Sequence, residues 1–146
     1  LTHARTLELT SDGRGLAGED MLFAVEEADK VIFQKALARG VDAGLLFQIR
    51  FHLHPEVDAA IDMGGAAISL ALRSGEIWVL RCEPNAELSL EPSVYLETGR
   101  LKPRATKQVV LSARAMEYAT RIRWSLAKAH DSAIAIRDVQ RDELEL

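Results

Sequence analysis

The sequence predicts an all-β fold, a mainly antiparallel β-sandwich. Two observations predict it. Apolar and polar residues alternate over many short segments, the period of a strand with one face buried. Turn signals separate these segments, and about ten of them follow one another at the spacing of sandwich or barrel strands.

The elements follow in order. Arg5 to Thr10 alternates and runs into Ser11-Asp12-Gly13, a turn in which Asp caps the backbone and Gly supplies conformational freedom. Gly18 to Val25 allows a second strand. Val25 to Arg39 has the Glu and Ala content of a helix, yet Val31-Ile32-Phe33 inside it reads as strand. An excursion containing some helix is expected there. Asp42 to Gly44 is a break before a long alternating run, Leu46 to His54. Val57–Asp62 and Ala66–Leu72 flank Gly64-Gly65, a hairpin signal, and Ser74-Gly75 introduces a second hairpin to Ile77–Arg81. Ala86–Leu90, Val94–Glu97, Lys107–Ser112 and Tyr118–Leu126 complete the strands, with Ile122 and Trp124 on one face and Arg121 and Arg123 on the other. The expected domain is 1–126, and 127–146 is expected to be a polar tail, helical or partly disordered.

With 146 residues the chain fits one domain, able to bury roughly 68–70% of its unfolded surface without disulfides. Cys82 is the one cysteine, so no internal disulfide can form. The net charge of -4 offers no basic excess for nucleic acid, and no apolar run approaches the roughly 20 residues of a membrane span. The chain opens on Leu1 without methionine or signal sequence, which reads as a fragment of a longer protein.

The chemistry concentrates in Arg50-Phe51-His52-Leu53-His54-Pro55. Alternation places Phe47, Ile49, Phe51 and Leu53 on one face and Gln48, Arg50, His52 and His54 on the other. Pro55 lacks a ladder donor and marks a strand end or an edge. Two readings of the histidines stand on spacing alone. They lie on a solvated face without a role, or they meet a metal or a transferred proton, since imidazole titrates near neutral pH. Arg50 likewise reads as a surface ion pair or as a bidentate contact to a carboxylate or sulfate.

This segment resembles the Phe-His-x-His-Pro segment of the heparinase II/III family of polysaccharide lyases. Further similar segments, in the same order, are His3-Ala4-Arg5-Thr6-Leu7, Ser11-Asp12-Gly13, Gly18-Glu19-Asp20, Gly64-Gly65, Ser74-Gly75-Glu76-Ile77-Trp78, Leu90 to Leu96, Thr106 to Ser112 and Ile122-Arg123-Trp124. The resemblance implies the family's C-terminal β-domain, a super-sandwich, in a bacterial periplasm or cell envelope. It implies β-elimination on a uronate-containing acidic polysaccharide, in a cleft completed by a preceding helical toroid. His52 matches the family's cleft histidine and His54 the histidine that binds a structural Zn in some members; Arg50 is the expected substrate contact. The toroid supplies the family's tyrosine, so Tyr95 and Tyr118 are expected to pack.

The sequence departs from the family after Pro55. It reads Glu56-Val57-Asp58-Ala59-Ala60, Leu70-Ala71-Leu72 stands where a further ligand is expected, and no histidine follows His54 until His130. A structural zinc needs four ligands or three and water, so the departures leave His54 open as an orienter of its strand. They also motivate the alternative of a non-catalytic structural or carbohydrate-contacting module. A cupin-like metal enzyme would need a further His and a Glu on neighbouring strands. Trp78 and Trp124 are expected in the core. Cys82 is expected to be inert, and Arg100, Lys102, Arg104 and Lys107 to form a solvated basic loop. Self-association is expected if the face that meets the toroid is left open.

Overall fold

The computed structural model describes residues 1–40 and 43–129. Among them are nine strands and one α-helix. The strands are β1 (Thr2–Leu9), β2 (Gly15–Phe23), β3 (Leu45–His52), β4 (Asp58–Asp62), β5 (Ala67–Ala71), β6 (Ile77–Cys82), β7 (Glu87–Tyr95), β8 (Arg104–Ala115) and β9 (Ala119–Lys128); α1 (Glu27–Arg39) lies between β2 and β3. A six-stranded sheet runs in the order β1-β2-β9-β6-β5-β4 and a three-stranded sheet in the order β3-β8-β7. Every neighbouring pair is antiparallel. The all-β sandwich expected from alternation is the fold observed. No helix among the described residues is long and apolar enough to cross a membrane.

The core forms where the two sheets face each other. Ile49, Val109, Leu111 and Ala113 come from the small sheet; Ala59, Ile68, Leu70, Leu80, Ile122 and Trp124 come from the large one. Each set repeats at two-residue spacing along its strand, so the alternation of the sequence becomes the two inner faces. Trp78 packs against this cluster and Trp124 lies within it, as expected. Three strands cannot cover six: β1 stays exposed along all eight residues, so the large sheet overhangs the small one at the β1–β2 flank.

Several boundaries differ from those expected. β2 begins at Gly15, because it pairs with β9 from Gly15 to Phe23. The expected pair Ala86–Leu90 and Val94–Glu97 is one strand, β7, which runs through Pro92. β7 is an edge strand, so the missing Pro N–H costs no ladder bond on its open side. Val31-Ile32-Phe33 is helical rather than extended. Phe33 alone of the helix is buried, at 3% exposure, and its ring meets Tyr118 at 5.9 Å. Glu27 and Asp29 in the first turn and Arg39 in the last suit the helix dipole. At Gly64-Gly65 both glycines take positive φ, 66° and 95°, which lets β4 turn back into β5. β9 continues to Lys128, two residues past the expected domain limit, and pairs there with Trp78. The expected helical or disordered tail lies outside the described residues from 130 onward.

Candidate functional site

The polar face begins with the pleat of β3. Its burial alternates as expected, with Phe47, Ile49, Phe51 and Leu53 packed on the core and Gln48, Arg50 and His52 exposed. β3 pairs only with β8, which pairs on its other side with β7. Register sets His52 beside Gln108 and Gln108 beside Glu91, with Arg50 beside Val110. Paired residues share a face, so β7 brings Glu91 and Ser93 to the surface that carries Arg50 and His52.

Two side-chain bridges cross β8 diagonally. Arg50 Nη1 lies 2.7 Å from Glu91 Oε2, and its Nη2 donates to Gln48 Oε1. His52 Nδ1 lies 2.7 Å from Ser93 Oγ. Val110 and Gln108 lie beneath, 0% and 9% exposed. Gln108 Nε2 donates to the Pro92 carbonyl at 3.1 Å, while its buried Oε1 has no partner among the described residues.

The serine matters to what His52 can do. A hydroxyl both donates and accepts, so Ser93 can satisfy Nδ1 in either tautomer. When Ser93 donates, the ring is neutral and its Nε2–H can only donate a hydrogen bond. When Ser93 accepts from Nδ1–H, a bare Nε2 can act as a base, and the imidazolium that results can return the proton as an acid with the same Ser93 bond in place. The ring is oriented without being locked into one role.

His54 takes a different part. Its Nδ1 accepts the Glu56 N–H at 3.2 Å, and its ring meets Tyr95 edge-on at 4.9 Å. Among the described residues no group of three His, Cys, Asp or Glu side chains stands close enough to hold a metal. The donor set around His54 therefore does not fit a structural zinc; His130 lies outside the described residues. Tyr95 packs on His54, and Tyr118 accepts from Gln34 Nε2 at 3.0 Å besides meeting Phe33.

The remaining sequence candidates are neutral or inert. Glu97 draws in Arg100 at 3.0 Å and Arg104 at 3.6 Å, and Lys107 Nζ donates to the Ala59 carbonyl at 2.7 Å. The basic cluster is thus largely paired. Burial pushes the Cys82 thiol pKa up, with the Glu83 charge adding to it, and Sγ contacts the Ala86 carbonyl. Less thiolate means less nucleophile. At neutral pH, Cys82 in the folded protein should react with iodoacetamide at least about tenfold more slowly than free cysteine; mass spectrometry of a time course checks this.

A second charged cluster was not anticipated as a unit. Asp20 is 2% exposed on the inner face of β2. Its carboxylate accepts from His3 Nε2 at 2.6 Å, Arg5 Nε at 2.8 Å and Trp124 Nε1 at 2.8 Å. Burial alone would raise its pKa. The hydrogen bonds from Arg5, Trp124 and His3 outweigh that and hold the carboxyl below its ordinary range. The signal was present in the sequence: His3 and Arg5 stand at the same two-residue spacing as His52 and His54.

Comparison with known proteins agrees with the fold. Residues 1–125 match the family model described as heparinase II/III-like, C-terminal. FtsZ-localized protein C of Caulobacter vibrioides is 34% identical over 130 residues, covering 88% of this chain and 21% of that protein. The chain therefore spans about a fifth of the length of the curated relative it matches. The match over residues 1–125 places this chain in the heparinase II/III-like C-terminal domain family.

Proposed function

We propose that this domain forms one wall of a polysaccharide lyase cleft, with His52 as a proton-transfer residue and Arg50 as a contact to acidic polysaccharide. A preceding helical toroid would complete the site. The observation that supports this most is the Ser93 hydroxyl at His52 Nδ1, which leaves Nε2 free to give or take a proton on an exposed face. In β-elimination the proton alpha to a uronate carboxylate is removed and the glycosidic C–O bond beta to it breaks. A C=C bond forms between the two carbons, and the leaving oxygen takes a proton. The carboxylate must be neutralised to acidify that C–H. One histidine cannot supply base, acid and neutralising group together, so this domain alone should be inactive.

A second reading is a non-catalytic structural or carbohydrate-contacting module. Glu91 already neutralises Arg50, and the curated relative carries a name that states a location and no reaction. The full-length protein, tested on a panel of acidic polysaccharides by the ultraviolet absorbance of unsaturated uronate, separates the two. On the lyase reading one polymer gives product, and His52→Ala lowers the rate at least about 100-fold. Ser93→Ala, which removes only the orienting bond, lowers it about tenfold. A folded protein that gives no product from any polymer, or His52→Ala at full rate, rejects the lyase role of this face.

A further inference from the structure

A cleft separate from the His52–Ser93 face opens where the large sheet overhangs the small one. His3, Arg5 and Asp20 line one side; Phe47, Ile49 and Arg50, on the free edge of β3, line the other. Its volume is about 220 Å³. That is below the roughly 300–1,000 Å³ of pockets for drug-sized ligands, and suits one sugar unit.

Arg5 is held as a fixed receptor. Its Nε donates to Asp20, and its Cζ lies 5.3 Å from the Phe51 ring centre and 6.0 Å from that of Trp124. Rings and carboxylate fix the guanidinium plane before any ligand arrives. Its two terminal nitrogens have no acceptor among the described residues. Asp20, the carboxylate of the cleft, already accepts three hydrogen bonds and is almost wholly buried. Against that one engaged anion the cleft presents the open end of the Arg5 guanidinium, with the His3 ring beside it; Arg50 lines the rim, its guanidinium turned to Glu91 and Gln48. A planar fork with both terminal N–H groups open matches a carboxylate in bidentate fashion.

We propose that the cleft between β1–β2 and the edge of β3 is a uronate-binding subsite, with the terminal nitrogens of Arg5 on the sugar carboxylate, His3 beside it and Phe47 and Ile49 against the ring. This rests on acidic polysaccharide as the ligand, though not on lyase chemistry. Arg50 lines the cleft and also stands beside His52 in the polar array, so a chain bound on that array would place a neighbouring unit here.

The test uses the full-length protein and calorimetry with two probes: a short uronate oligosaccharide, and the same oligosaccharide with its carboxyls reduced to alcohols. The unmodified protein should bind the reduced probe about tenfold more weakly than the acidic one. Equal affinity overturns the proposal without recourse to any variant. Arg5→Lys keeps a cation against Asp20 but loses the fork. It should leave Tm within a few degrees and weaken the acidic probe about tenfold. Carboxylate-dependent binding by a protein that cleaves no polymer supports the subsite and removes the lyase. Cleavage that His52→Ala abolishes, with Arg5→Lys binding the acidic probe undiminished, removes the subsite and keeps the lyase.

Discussion

Gly18→Ala should destabilise the domain by about 3 kcal/mol, at the upper end for an overpacked core position. A Cβ at Gly18 would stand 2.1 Å from Trp124 Cε2 and Cζ2. The indole lies directly across the β2–β9 pair, where Gly18 faces Trp124 in register. It cannot step aside freely. Moving it breaks the Nε1–Asp20 bond and the edge contact with Phe51 at 4.7 Å, which ties the large sheet to the small one. Chemical denaturation of the single and double variants checks the cause. Trp124→Leu alone should be costly, but in its presence Gly18→Ala should cost less than about 1 kcal/mol. Equal costs in both backgrounds would mean that the indole is not the obstacle.

Asp20→Asn should cost about 3 kcal/mol at neutral pH, because it exchanges a buried carboxylate with three donors for an amide that must present N–H to some of them. The loss should depend on pH in a defined direction. The folded carboxyl titrates below its ordinary value, so its contribution is complete above the unfolded pKa of about 3.9 and disappears as pH falls through the lower folded value. The stability gap between the two proteins should therefore be constant from pH 7 to about 5 and close below about 4. Denaturation curves at a series of pH values measure it. A gap that persists unchanged at pH 2 would show that the carboxylate's charge is not what matters.

How much of this was legible beforehand depended on range. β3 was readable because Phe47, Ile49 and Phe51 alternate with Gln48, Arg50 and His52 without interruption, and periodicity is a local signal. The Gly64-Gly65 hairpin was readable because positive φ at both positions favours glycine. β7 was not, since Pro92 looks like a stop unless the strand is known to lie at an edge, and edge position belongs to the assembled sheet. In α1, Val31-Ile32-Phe33 has strand propensity, but the surrounding Glu and Ala favour helix and only Phe33 needs burial. His52 and Arg50 could be singled out, yet their partners could not. Ser93 and Glu91 each lie 41 residues from the side chain they hold, and Trp124 lies 104 from Asp20. Register between distant strands is written in no local pattern.

The strand order also governs how the domain comes together during synthesis. β9, the final described strand, lies inside the large sheet, with β2 on one side and β6 on the other. Until it emerges from the ribosome, β1–β2 and β4–β5–β6 are two separate antiparallel blocks with no shared hydrogen bonds. Ile122 and Trp124, which arrive with it, fill the middle of the core. A chain stopped before residue 119 therefore holds the large sheet as two fragments with open edges, and that sheet waits on β9 rather than growing from β1.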